Sequence, residues 1–128
     1  MNNSKYTQAY IYGIYCNTTN ELYIGSTYLT KESRLRKHLT DLNGYIGVNK
    51  KHRNYRSSFE VLFNNNYQME IIELFPCNTK EELEIQESKH ILKNRMLNNK
   101  VVNIRLARKL DKDYTLDDLS DLPCPSFT

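Results

Sequence analysis

Cysteine is scarce in this 128-residue chain and arranged unlike a structural framework: Cys16, Cys77 and Cys124 are odd in number and far apart. No CxxC pair occurs and the three histidines do not gather near the cysteines, which argues against a structural zinc site. Free thiols point to a reducing, intracellular compartment, cytoplasmic or nuclear. A run of about 18 apolar residues is also missing, so no transmembrane helix and no membrane partner are expected. The first ten residues, MNNSKYTQAY, lack an apolar signal core, and secretion is not expected. Internal repeats and low-complexity tracts are absent. What remains is ordinary for a globular chain, with 39% hydrophobic and 26% charged residues. One domain with one modest core is the expectation at this length.

The net charge of +3 conceals an asymmetry. Residues 1–108 carry sixteen Lys and Arg against ten Asp and Glu, whereas residues 109–128 carry two against five. The positive charge is densest between Arg34 and Arg56, where Arg34, Arg36, Lys37, Lys50, Lys51, Arg53 and Arg56 face the single acid Asp41. Such a patch suits a polyanion, and Arg36, Lys37, Lys50, Lys51, Arg53 and Arg56 are candidate nucleic-acid contacts. A merely solvated basic face is the plain alternative. The acidic segment 109–128, with two prolines near its end, is expected to form a flexible tail outside a compact domain of residues 1–108.

Local patterns give the order ββααβα, an α+β domain with a small three-stranded antiparallel sheet flanked by helices. Tyr10–Cys16 is almost wholly β-branched or aromatic, and a turn-like NTTNE separates it from a second strand at Leu22–Ser26. Thr30 can cap a helix carrying Leu35, Leu39 and Leu42 on one face and ending before Gly44. Ser57–Phe63 reads as a short helix presenting Phe59, Leu62 and Phe63 to the core, and Tyr67–Phe75 as a third strand. Thr79, followed by Glu81 and Glu82, opens a long helix to about Leu97, and Val101–Leu106 is extended.

Several polar residues stand where periodicity would choose apolar ones. Leu83, Glu87 and Ile91 share one helical face, so a carboxylate interrupts the stripe. Buried, it must be paired, hydrogen-bonded or metal-bound; at the stripe's edge it would reach water or a surface lysine. His38 lies on the Leu35/Leu39/Leu42 face with Arg34 one turn earlier, a pair able to donate to a phosphate or simply a half-buried histidine beside an exposed arginine. Asn103 sits between Val102 and Ile104, where an amide ordinarily holds backbone in place.

Taken together, YIYGIYCNTTNELYIGST, SRLRKH (Ser33–His38), EELEIQESKHI (Glu81–Ile91) and VVNI (Val101–Ile104) resemble the GIY-YIG nuclease family, across roughly Tyr6 to Arg108. The spacing looks most like small stand-alone members found in viral genomes. By that resemblance Tyr23 is the tyrosine of the YIG half, Arg34 the contact to the scissile phosphate, and His38 the histidine one turn on. Glu87 resembles the acidic metal ligand, for Mg²⁺ or Mn²⁺, and Asn103 the asparagine that orders the site. The first tyrosine of the family lies eleven positions before the second, which selects Tyr12, although GIY is spelled by Gly13-Ile14-Tyr15. Tyr12 and Tyr15 point to opposite faces of a strand, so only one of them can face the site.

The resemblance implies a metal-dependent endonuclease acting on DNA phosphodiesters, with a phenol as general base. A free phenol titrates near 10, so for that role neighbouring positive charge would have to lower it. The rival in another class is a non-catalytic nucleic-acid-binding module on the same scaffold; a structural α/β protein with incidental basic charge is the third. Nothing among 20 acidic tail residues can read DNA sequence, so either modest specificity is expected or a partner protein or oligomer that supplies it.

Overall fold

A computed structural model describes residues 5–47 and 55–127. β1 (Tyr10–Cys16) and β2 (Glu21–Thr27) form an antiparallel hairpin in which Tyr12 faces Gly25 across the ladder. α1 (Lys31–Ile46) and the single-turn α2 (Phe59–Leu62) follow, then β3 (Tyr67–Leu74), α3 (Lys80–Met96) and β4 (Lys100–Val101). The sheet has four strands in the order β3-β1-β2-β4, not three. β3 is antiparallel to β1, while β4 adds two residues parallel to β2. The extra strand is short: Lys100 and Val101 pair with β2, the Val102 N–H still donates to the Leu22 carbonyl at 2.8 Å, and beyond it a side chain takes over the ladder, as described below.

Alternation along β1 divides the core in two. Tyr10, Tyr12, Ile14 and Cys16 point toward α1 and α2 and pack with Leu42, Phe59 and Leu62. Ile11 points the other way, joining Leu22, Ile24, Leu83 and Ile91 under α3. α3 begins as its sequence directs: the Thr79 hydroxyl accepts from the Glu82 backbone N–H while the Glu82 carboxylate receives the Thr79 N–H. α1 continues past Gly44 to Ile46, since Leu42 is buried and Tyr45 packs on the same cluster, which holds the last turn in place. α2 is shorter than expected; Val61, not Phe63, is its third buried residue, and Phe63 is exposed. No helix among the described residues is long and apolar enough to cross a membrane.

The acidic segment folds back onto the domain rather than extending from it. Ser88 pins its start, donating to the Arg108 carbonyl at 3.0 Å and accepting the Arg108 N–H at 2.9 Å. Further on, Leu119 is only 1% exposed and Lys93 donates to the Leu122 carbonyl at 2.5 Å. Phe127 stacks on Tyr15, with ring centroids 5.2 Å apart, and lies over Gly13. The tail therefore covers the α3 side of the sheet, and its aspartates stay exposed. Leu119→Ala should lower unfolding stability by about 2 kcal/mol while leaving activity intact, read as a lower urea midpoint. An unchanged midpoint would mean that the segment contributes nothing to the fold.

Candidate active site

The site forms where β1, β2, α1 and α3 converge. Tyr12, at the middle of the central strand, is 0% exposed, and its hydroxyl is the hub of a polar chain. Arg34 Nε donates to Tyr12 Oη at 3.0 Å, and Tyr12 Oη lies 2.6 Å from His38 Nε2. His38 Nδ1 is in turn 3.0 Å from Ser58 Oγ. With Arg34 donating to the phenol oxygen, the phenol hydrogen is directed to Nε2, which leaves Nδ1–H as the donor to Ser58. The helical spacing of Arg34 and His38 puts both above the same strand. Gly25, opposite Tyr12, makes room for the ring: a Cβ there would lie 2.5 Å from Tyr12 Cζ.

Tyr23 completes the aromatic group, its ring 6.3 Å from Tyr12 and 5.4 Å from His38. Unlike Tyr12, it lines the wall of a cleft of about 500 Å³, together with Arg34, Lys37, His38, Arg56 and Glu87. Tyr15 lies elsewhere: its hydroxyl donates to Asn20 at 2.7 Å and its ring meets the tail. Strand parity separates the two tyrosines, and the one in the literal GIY string faces away from Arg34.

Glu87 projects from α3 into the cleft, and Ser26 Oγ donates to its Oε1 at 2.5 Å. Burial pushes this carboxyl up to about 7, against the lowering effect of the Ser26 bond. Among the described residues no three His, Cys, Asp or Glu side chains gather in one place. Glu87 thus offers one hard oxygen donor, with open volume in front of it. That fits a Mg²⁺ ion held by one carboxylate, waters and a substrate phosphate, and does not fit a closed zinc site.

Asn103 acts on backbone. Its Oδ1 accepts from the Ile24 N–H at 2.9 Å and its Nδ2 donates to the Ile24 carbonyl at 2.7 Å. One amide thereby satisfies both edge groups of the residue between Tyr23 and Gly25, extending the β4 pairing by a side chain.

The chain matches the family model for the GIY-YIG catalytic domain over residues 8–100. It belongs to the GIY-YIG family. No curated protein and no solved structure gives a match. GIY-YIG domains form a family of endonucleases acting on DNA, generally with divalent metal ions.

Within this GIY-YIG domain the electrostatics do not meet, before metal or substrate binds, the condition set for a phenol base. Arg34 does lower the phenols, but burial dominates: Tyr12 is raised well above 10, and burial with the Glu87 charge takes Tyr23 up to about 12. Burial and the Arg34 and Arg56 charges hold His38 down at about 3, so its ring is neutral at physiological pH. Of the expected DNA contacts, Lys37 and Arg56 line the cleft, Arg56 also lying 3.5 Å from Asp41. Arg36 is exposed but lines neither the cleft nor its neighbour. Lys50, Lys51 and Arg53 lie outside the described residues. Three site residues carried no sequence signal of their own: Ser26, Ser58 and the cleft-lining Arg105. A lone serine in a strand or before a short helix has no periodicity to violate, so only the partner reveals it.

Proposed function

We propose that this domain is a divalent-metal-dependent endonuclease that hydrolyses DNA phosphodiesters in the cleft between α1 and α3. The observation that carries it is the meeting of Arg34, Tyr23 and Glu87 on one basic wall, with Tyr12 and His38 locking Arg34 from behind. Arg34 has only Nε engaged among the described residues, so the rest of its guanidinium is available to the scissile phosphate. Tyr12, without solvent access, orients Arg34 and His38. Tyr23, which borders the cleft, is the phenol that meets an attacking water. Neutral His38 accepts the Tyr12 proton in a hydrogen bond and fixes that phenol's direction. Glu87 would hold Mg²⁺ or Mn²⁺, which supplies charge to polarise the phosphate, stabilise the leaving oxygen and lower nearby phenols. Lys37, Arg56 and Arg105 hold flanking backbone phosphates, giving salt-dependent affinity with little sequence preference.

Supercoiled plasmid incubated with Mg²⁺ or Mn²⁺ should convert to the nicked form, with no conversion in EDTA. The second reading, a binding module, predicts a salt-sensitive mobility shift and no nicking in either metal. Glu87 favours the hydrolase, because a surface built only to bind phosphates gains nothing from a carboxylate beside Arg34.

A further inference from the structure

Glu87 and Arg34, with Tyr23 and Lys37, also border a second, adjoining cleft of about 370 Å³. Its character is different. Tyr6 and Tyr28 stand at its wall with rings edge to face, 5.4 Å apart at 82°, and Lys37 and Lys80 lie on its rim. Lys5 Nζ rests 4.9 Å from the Tyr28 ring centroid, so a cation already sits against this aromatic pair. The nearby carboxylate Glu84 is bonded to Arg108 at 3.0 Å, which offsets its charge toward an anionic ligand.

We infer that this second cleft is a nucleobase subsite, in which an unpaired base beside the scissile phosphate stacks on Tyr28 and Tyr6. The inference rests on the nuclease reading of the shared Arg34 and Glu87. The two clefts meet at those residues, so a strand crossing them lays its backbone on the Arg56 and Arg105 side and its next nucleotide on the tyrosine side. A base inside continuous duplex is stacked on both neighbours and cannot enter. A nucleotide at a flap, bulge or single-strand junction has a free π-face, and aromatic side chains accept any base. Lys5, Lys37 and Lys80 are then placed to meet the phosphates on either side. The substrate class is DNA with an unpaired nucleotide next to the cleaved bond.

The test is binding in EDTA, where no cleavage interferes, using a flap duplex with 2-aminopurine as its first unpaired base and a blunt duplex of equal length. Wild type should bind the flap more tightly and quench the 2-aminopurine. Tyr28→Ala should weaken flap binding roughly 5- to 150-fold and abolish quenching, with blunt-duplex affinity unchanged. Tyr28→Phe should keep both, since the phenyl ring still stacks, and it controls for packing. Equal binding of both DNAs by wild type, or equal loss on both for Tyr28→Ala, overturns the subsite. Plasmid nicking separates the two conclusions: nicking without flap preference sinks the subsite alone, and flap preference without nicking sinks the hydrolase alone.

Discussion

Glu87→Ala should lower metal-dependent nicking by at least about 10³-fold while the protein still folds and binds DNA. The size follows from what one cation contributes to phosphoryl chemistry, several kcal/mol of charge stabilisation. Among the described residues no cluster of three ligating side chains forms around Glu87, and its neighbour Glu84 is engaged by Arg108 at 3.0 Å. The fold should survive because the carboxylate is a burden on it. In the folded domain burial takes Glu87 from 4.5 up to about 7, so the folded state holds this proton more tightly than the unfolded one. Stability is then highest below about pH 4.5 for this group and falls as pH rises toward 7. Glu87→Gln, which cannot ionise and keeps an acceptor for Ser26, should escape that loss. At pH 8 without metal it should unfold up to about 3 kcal/mol harder than wild type, and the difference should vanish near pH 4. Thermal unfolding across that range in EDTA reads the effect, and Mg²⁺ should raise the wild-type midpoint only. Nicking by Glu87→Ala at the wild-type rate would remove the carboxylate from the chemistry.

The sheet and helices were legible because their signals are local. β-branched and aromatic runs marked β1, β2 and β3, and the Thr79 capping box marked α3. The polar interruptions were legible for a different reason: Glu87, His38 and Asn103 each broke a periodicity, and each occupies a buried or cleft position with specific partners. What the sequence hid depends on pairing across long separations. Nothing in the tail composition shows that Leu119 is buried or that Phe127 lies over Gly13, because exposed aspartates dominate the segment. The fourth strand was hidden because two residues are too few for an alternation. The direction of the tyrosine shifts was hidden because charge is visible in a sequence and burial is not; here burial wins.

That balance also distinguishes the two phenols. Both are protonated in the resting domain, so neither acts as a stored base. Tyr23 borders the cleft in which metal and substrate are proposed to bind, whereas Tyr12 is bonded to Arg34 and His38. Two tyrosines on adjacent strands thus differ in exposure, Tyr12 being sealed in the core and Tyr23 bordering the cleft, which is the basis for the separate roles proposed for them.

Gly25→Ala should reduce nicking by at least about 10²-fold and destabilise the domain by about 1–3 kcal/mol, although it adds one methyl group. Its cause is steric, since no glycine here has positive φ. The new Cβ would lie 2.5 Å from Tyr12 Cζ, 2.9 Å from Cε2 and closer still to the hydroxyl. Tyr12 cannot yield cheaply: its ring is fully buried, has two torsions, and is bonded to both Arg34 and His38. Moving it releases the guanidinium that is proposed to hold the phosphate in a fixed place. The control is the other motif glycine. A Cβ on Gly13 would meet only side-chain tips, at 3.1 Å from Phe127 Cζ and 3.2 Å from Ile72 and Leu22 Cδ1, all on the tail side of the sheet. Gly13→Ala should therefore cost little stability and leave nicking near wild type. Pairing Gly25→Ala with Tyr12→Leu removes the clash and should recover stability without recovering activity. Wild-type nicking by Gly25→Ala would show that Tyr12 does not hold Arg34 in its working position.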